Sequence, residues 1–177
     1  MTIKAIAFKS GMLDSTIGTG TYSIDFRWTR RFGSMNADGV EDIIKDETSI
    51  IISGQVFGNA DFNGDGDSFD GGAEDSTGYG AQDLFIARYD TAGEEIWSKR
   101  LGGTDWDLVY STAIDGSRNI YAGGFVTYDA DFNGDGDTLD GGAEGSTGFD
   151  CKDGFILKMD SSGNYQWSKR LGGMNDY

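Results

Sequence analysis

The hydrophobic positions of this chain fall in short alternating runs, separated by clusters rich in Asp, Ser, Asn and Gly. In the C-terminal half the runs cover roughly Leu108 to Ile114, Asn119 to Val126, Gly154 to Met159 and Tyr165 to Leu171. Between them lie Asp115-Gly116-Ser117, a long acidic insert, and Asp160-Ser161-Ser162-Gly163-Asn164. Such residues favour turns because their side chains bond local backbone or their backbone tolerates positive φ. The N-terminal half offers matching runs over Val40 to Lys45, Ser49 to Phe57, Leu84 to Tyr89 and Glu95 to Leu101. Short runs with this alternation, bounded by turn signals, read as strands. No window has the period of an amphipathic helix, and the many glycines oppose one. The pattern predicts an all-β chain of two tandem four-stranded antiparallel blades, with an extra strand near Thr21 to Phe32.

The third run of each half carries apolar residues on both faces. Phe85, Ala87 and Tyr89 point one way and Leu84 and Ile86 the other; Phe155, Leu157 and Met159 oppose Ile156. A strand apolar on both faces expects cover on both faces. Stacked sheets supply it, and a single solvated sheet does not.

The halves are copies. Residues 61–103 align without gaps on residues 131–173, with 27 identities in 43 positions. Self-similarity at a fixed period is the signature of a repeat architecture. The periodicity reaches upstream, where Trp28-Thr29-Arg30-Arg31-Phe32-Gly33 echoes Trp97-Ser98-Lys99-Arg100-Leu101-Gly102 and Trp167-Ser168-Lys169-Arg170-Leu171-Gly172. The chain divides into an N-terminal segment 1–33 ending in the last strand of a divergent blade, blade repeats over 34–103 and 104–173, and the start of a further repeat at 174–177. A function built into repeats argues against one unique catalytic cleft.

Composition narrows the classes. The chain has 29 Gly, no Pro, no His and a net charge of −16. Aromatic residues at 13% separate it from disordered acidic chains, which are poor in them. The lack of His removes the commonest general base and zinc ligand, and no enzyme is expected. Strong acidity excludes nucleic acid as the natural partner, since phosphate binding needs a basic face. Cys151 stands alone, so no disulfide forms within the chain. No stretch has the length and apolarity of a membrane span, and the N-terminal residues lack the apolar core of a secretory signal.

The insert carries the candidate chemistry. It reads Asp61-Phe62-Asn63-Gly64-Asp65-Gly66-Asp67-Ser68-Phe69-Asp70-Gly71-Gly72, and its twin reads Asp131-Phe132-Asn133-Gly134-Asp135-Gly136-Asp137-Thr138-Leu139-Asp140-Gly141-Gly142. Oxygen ligands at positions one, three and five with Gly at six match the start of an EF-hand-type calcium loop. Ca²⁺ is a hard cation that takes six to eight oxygens, and Gly lets the chain curl so that alternate side chains converge. Position twelve is Gly rather than a bidentate Glu, and no helices flank the loop. Asp70 or Asp140 substitutes for that ligand, with Glu74 or Glu144 the weaker candidate. The expected ligands are Asp61, Asn63, Asp65, Asp67 and Asp70 for one Ca²⁺, and Asp131, Asn133, Asp135, Asp137 and Asp140 for a second. An ion-free acidic loop and a catalytic carboxylate pair are the competing readings.

Asn119-Ile120-Tyr121, Gly123-Gly124, Asp153-Gly154-Phe155-Ile156 and Trp167 to Gly173 together resemble the bacterial β-propeller repeat of large secreted and surface proteins. The resemblance covers about residues 28 to 173. It implies propeller-type blades, an extracellular or cell-surface setting and no catalytic role. The repeat here is about seventy residues rather than the family's fifty or so, and the acidic insert is the excess. Two functional classes follow. One is a Ca²⁺-stabilised structural or assembly protein, a filament or surface-layer subunit or a fragment of a larger adhesin. Its partners are further copies of itself or further blades of a longer chain. The alternative is a lectin-like or protein-binding propeller module whose loops grip a glycan or a protein. Trp97 and Trp167 fit blade packing better than sugar stacking. Asp75-Ser76-Thr77 and Asp90-Thr91-Ala92 resemble a short bacterial O-glycosylation acceptor, a pattern also common by chance.

Overall fold

A computed structural model describes residues 2–5, 18–21, 28–68, 70–71, 73–75, 80–138, 140, 143–145 and 152–173. Eleven strands run in chain order: β1 (Thr2–Ala5), β2 (Gly18–Thr21), β3 (Gly39–Lys45), β4 (Ser49–Val56), β5 (Asp83–Asp90), β6 (Glu95–Gly103), β7 (Leu108–Ile114), β8 (Ile120–Val126), β9 (Ala130–Asp131), β10 (Asp153–Met159) and β11 (Tyr165–Leu171). There is no helix among the described residues, and hence none long and apolar enough to cross a membrane. β1 and β2 form a separate antiparallel pair.

The main strands build two antiparallel sheets. One has the order β3-β4-β5-β6-β9 and the other β11-β10-β8-β7. Each is a meander, since successive long strands pair with their neighbours. The short β9 departs from this scheme. It belongs by sequence to the second repeat yet pairs with β6 of the first, Gly102 opposite Asp131 and Gly103 opposite Ala130. The strand expected over residues 21–32 is not formed over 28–32. Residue 21 ends β2, residues 22–27 lie outside the described set, and Gly33 makes an isolated bridge to Asp61.

The sheets pack face to face. Ile51, Leu84, Ile86 and Leu101 of the first meet Val109, Ile120, Ala122, Val126, Phe155, Leu157 and Met159 of the second in one buried cluster. The opposite face of the first sheet gathers Ile52, Val56, Phe85, Ala87 and Tyr89 into a second cluster, with Phe32 packed against it. β5 is therefore buried on both faces. Burying each such side chain stabilises by roughly 1.5–3 kcal/mol. β10 is covered on one face only: Phe155, Leu157 and Met159 are buried while Ile156 is 36% exposed.

Polar groups fix how the sheets align. Arg88 of β5 donates to the Ser49 hydroxyl at 2.9 Å, pairs with Asp46 at 2.9 Å and reaches across to the Ser161 carbonyl at 2.6 Å. Ser161 lies in the turn between β10 and β11. A guanidinium presents several donors in a rigid fork, so one Arg can bind three acceptors on two sheets.

Candidate metal loops

Both acidic loops start by burying a ring. Phe62 and Phe132 are fully buried, 5.2 Å from Phe85 and 5.1 Å from Phe155 between ring centroids. The Tyr89 hydroxyl donates to the Phe62 carbonyl at 2.7 Å. With position two anchored inward, Asp65 and Asp67 of the first loop and Asp135 and Asp137 of the second stand exposed, while Asp131 stays buried.

The loop backbone then wraps its own side chains. In the first loop, Asp61 accepts the N–H groups of Gly64 at 2.5 Å and Gly66 at 3.0 Å. Asn63 Oδ1 accepts from Asp65 N–H at 2.8 Å, and Asp65 Oδ1 from Asp67 N–H at 3.0 Å. Asn63 Nδ2 donates to Asp70 at 3.0 Å, which draws position ten back over position three. The second loop repeats this arrangement: Asp131 with Gly134 and Gly136, Asn133 with Asp135, Asp135 with Asp137, and Asn133 Nδ2 to Asp140 at 2.8 Å. Carboxylate oxygens of Asp65, Asp67 and Asp70 lie within 4.8 Å of one another.

Under each loop sits a buried glutamate. Glu74 Oε1 accepts the N–H groups of Phe62 at 2.9 Å and Asn63 at 3.2 Å; Glu144 Oε1 does the same with Phe132 at 3.1 Å and Asn133 at 3.2 Å. The second oxygen, Oε2, of each is buried and has no hydrogen-bond partner. An unpaired buried carboxylate oxygen is costly unless a cation or proton meets it. Burial raises the pKa of Glu144, and the negative charges of Asp131 and Asp140 add to the shift. Burial likewise raises Asp131, against the N–H groups of Gly136 and Gly134, with Asp135 adding to the rise. Four aspartates, one asparagine and a buried glutamate per loop are hard oxygen donors, the set that Ca²⁺ takes. These residues fit the ion.

The glutamates carry more weight here than their sequence positions suggest. They lie at position fourteen, beyond a twelve-residue template, and only their presence in both copies marked them. Trp97 packs at the contact between the sheets, while Trp167 is exposed on the far side. Cys151, Ser76 and Thr77 lie outside the described residues.

Each loop is strapped to the segment before it in the repeat pattern, residues 28–33 for the first loop and β6 for the second. Asp61 and Gly33 exchange backbone hydrogen bonds at 2.9 and 3.1 Å, and Asp131 pairs with Gly102 at the end of β6. The first residue of each loop is therefore fixed to the preceding repeat. Compared with known proteins, the chain matches no family model and no curated protein.

Proposed function

We propose that the chain is a non-catalytic, extracellular structural module of propeller-type blades in which each acidic loop binds one Ca²⁺. The observation that carries this reading is the buried, unpaired Oε2 of Glu74 and Glu144 beneath converging Asp and Asn side chains, found at the same place in both repeats. A divalent cation supplies the positive charge that this many carboxylates lack. Because position one of the second loop pairs with β6, an ion held there ties one sheet to the next. Two antiparallel sheets of five and four strands, packed face to face, support the blade assignment. A millimolar-calcium setting outside the cell suits sites of modest affinity.

Calorimetric titration with Ca²⁺, alongside thermal melts in Ca²⁺ and in chelator, tests this. The expected result is two equivalents bound. If affinity is ~10⁻⁴ M, ~1 mM Ca²⁺ stabilises by about 1.4 kcal/mol per site. No heat of binding, together with identical melts, would refute it.

A further inference from the structure

Trp28, Trp97 and Trp167 occupy one repeat position, and two of them are seated alike. Trp28 donates its indole N–H to the Thr91 carbonyl at 3.1 Å, and Trp97 donates to the Ser161 carbonyl at 3.2 Å. Each ring lies on a glycine of positive φ, Gly93 under Trp28 and Gly163 under Trp97, where a Cβ would come within 2.5 and 2.9 Å of ring carbons. Thr91 and Ser161 are equivalent, as are Gly93 and Gly163. Each tryptophan thus rests on the Asp-x-x-Gly turn of the sheet one repeat further along. Trp167, as exposed at 37% as the seated Trp28, has Tyr121 edge-on at 6.3 Å. Among the described residues no such turn covers it.

We propose that the exposed face around Trp167 binds a second copy of this chain, docking the copy's first sheet as the second sheet docks on the first here. This rests on the repeat-stacking reading above. The face continues an interface already present within the molecule: Ile156, Lys158 and Leu171 stand at the positions of Ile86, Arg88 and Leu101, which the second sheet covers in the first.

The chain also displays the matching surface. Val109, Thr112, Ile120 and Ala122 are buried beneath the first sheet. Their equivalents Val40, Ile43, Ile50 and Ile52 line an apolar cavity of about 230 Å³, with Val40 41% and Ile43 63% exposed. Charge agrees. Lys158 and Lys169 lie on the Trp167 face, while the receiving face carries Glu94 and the first acidic loop. Arg30, equivalent to Lys169, already pairs with Glu94 at 3.1 Å.

Residues 28–33 occupy the place that β11 of the incoming copy needs. They are held by Trp28, Arg30, the Gly33–Asp61 bridge and the Phe32 ring against Phe62, Phe85 and Tyr89, without a strand ladder, and the incoming Leu171 takes the place of Phe32. β11 carries the same Trp-x-Lys/Arg-Arg-x-Gly pattern, so docking exchanges one for the other. Contacts of this head-to-tail kind are heterologous and build rings or open filaments.

Sedimentation velocity of the 177-residue chain in millimolar Ca²⁺, over a rising micromolar concentration series, tests the proposal. Concentration-dependent association is expected. Trp167→Ala and Lys169→Glu should each weaken it about tenfold or more, as loss of an interface anchor does. Trp28→Ala should strengthen it by loosening residues 28–33, the opposite direction from general destabilisation. Circular dichroism of each variant checks that it is folded. A chain that stays monomeric, with Trp28→Ala monomeric too, overturns the proposal. Association insensitive to both Trp167→Ala and Lys169→Glu also overturns it, because another face is then responsible. Calorimetry on the same samples separates the two readings: Ca²⁺ uptake by a persistent monomer leaves the metal loops standing while docking falls.

Discussion

Asp42 of β3 accepts both the backbone N–H of Thr112 at 2.7 Å and its hydroxyl at 3.1 Å, joining the first strands of the two sheets through one carboxylate oxygen. The Thr112 N–H is the main reason that the Asp42 pKa lies below the usual carboxylate value. A lowered acid contributes stability that is present above its unfolded pKa and lost as pH falls through the folded one. Asp42→Ala should destabilise by about 1–3 kcal/mol in urea unfolding, since the Thr112 backbone N–H loses its acceptor. It should also reduce the acid sensitivity of the melt. A variant as stable as the parent would mean that the sheets are aligned without this bond.

Equivalent isoleucines should differ in cost. Ile86 is fully buried between the sheets and Ile156 is 36% exposed, although each sits at the same repeat position. Ile86→Ala should cost about 2–5 kcal/mol, from lost burial and a residual cavity. Ile156→Ala should cost under about 1 kcal/mol in dilute monomer. Equal costs in chemical denaturation would contradict the one-sided cover of β10.

Calcium should reverse the sign of a single substitution. Glu144 is buried with one oxygen unpaired and negative charges nearby. Glu144→Gln keeps an oxygen for the Phe132 and Asn133 N–H groups and removes the charge. In chelator the variant should melt at or above the parent temperature. In millimolar Ca²⁺ it should melt below, having lost a charged ligand. The same ordering in both buffers would exclude Glu144 as a ligand.

Stability should fall as pH rises through neutrality. Burial pushes Asp107 up to about 7, against the N–H groups of Thr127 at 2.8 Å and Gly103 at 2.6 Å, with the charge of Asp83 adding to the rise. The folded state keeps this proton up to about 7, whereas an unfolded Asp releases it near ~3.9. The contribution is therefore complete below about pH 4 and lost as pH climbs to about 7. Melts in chelator should drop between about pH 4 and about pH 7, and Asp107→Asn should flatten that slope. An unchanged slope would assign the dependence to other groups.

Much of the strand pattern is legible in the sequence because its cause is local. Alternation placed Phe85, Ala87 and Tyr89 opposite Leu84 and Ile86, and these fall in the two different clusters. Strand limits agree within about two residues, as with Tyr165–Leu171 for β11 and Asp153–Met159 for the run read as Gly154 to Met159. What escaped depends on distant chain segments meeting. Nothing local announces that Asp131 pairs with Gly102, that Asp46 and Ser161 share Arg88, or that Asp107 bridges Gly103 and Thr127. The curl of each loop around its own Asp and Asn side chains is legible from their spacing and the intervening glycines. The burial of Glu74 and Glu144 is not, because it follows from how the loop folds over Phe62 and Phe132.

The strapping of each loop onto the preceding Trp-to-Gly segment also sets what can be copied or exchanged as a unit. A segment cut at the sequence-repeat boundary, such as 104–173, carries a loop whose first residue has lost the Gly102 backbone it leans on. One that starts near Trp97 and runs to about residue 166 takes that strand along and leaves its own closing strand to the next unit. Duplication, shuffling and engineered insertion should therefore succeed out of register with the visible repeat, with junctions ahead of each tryptophan.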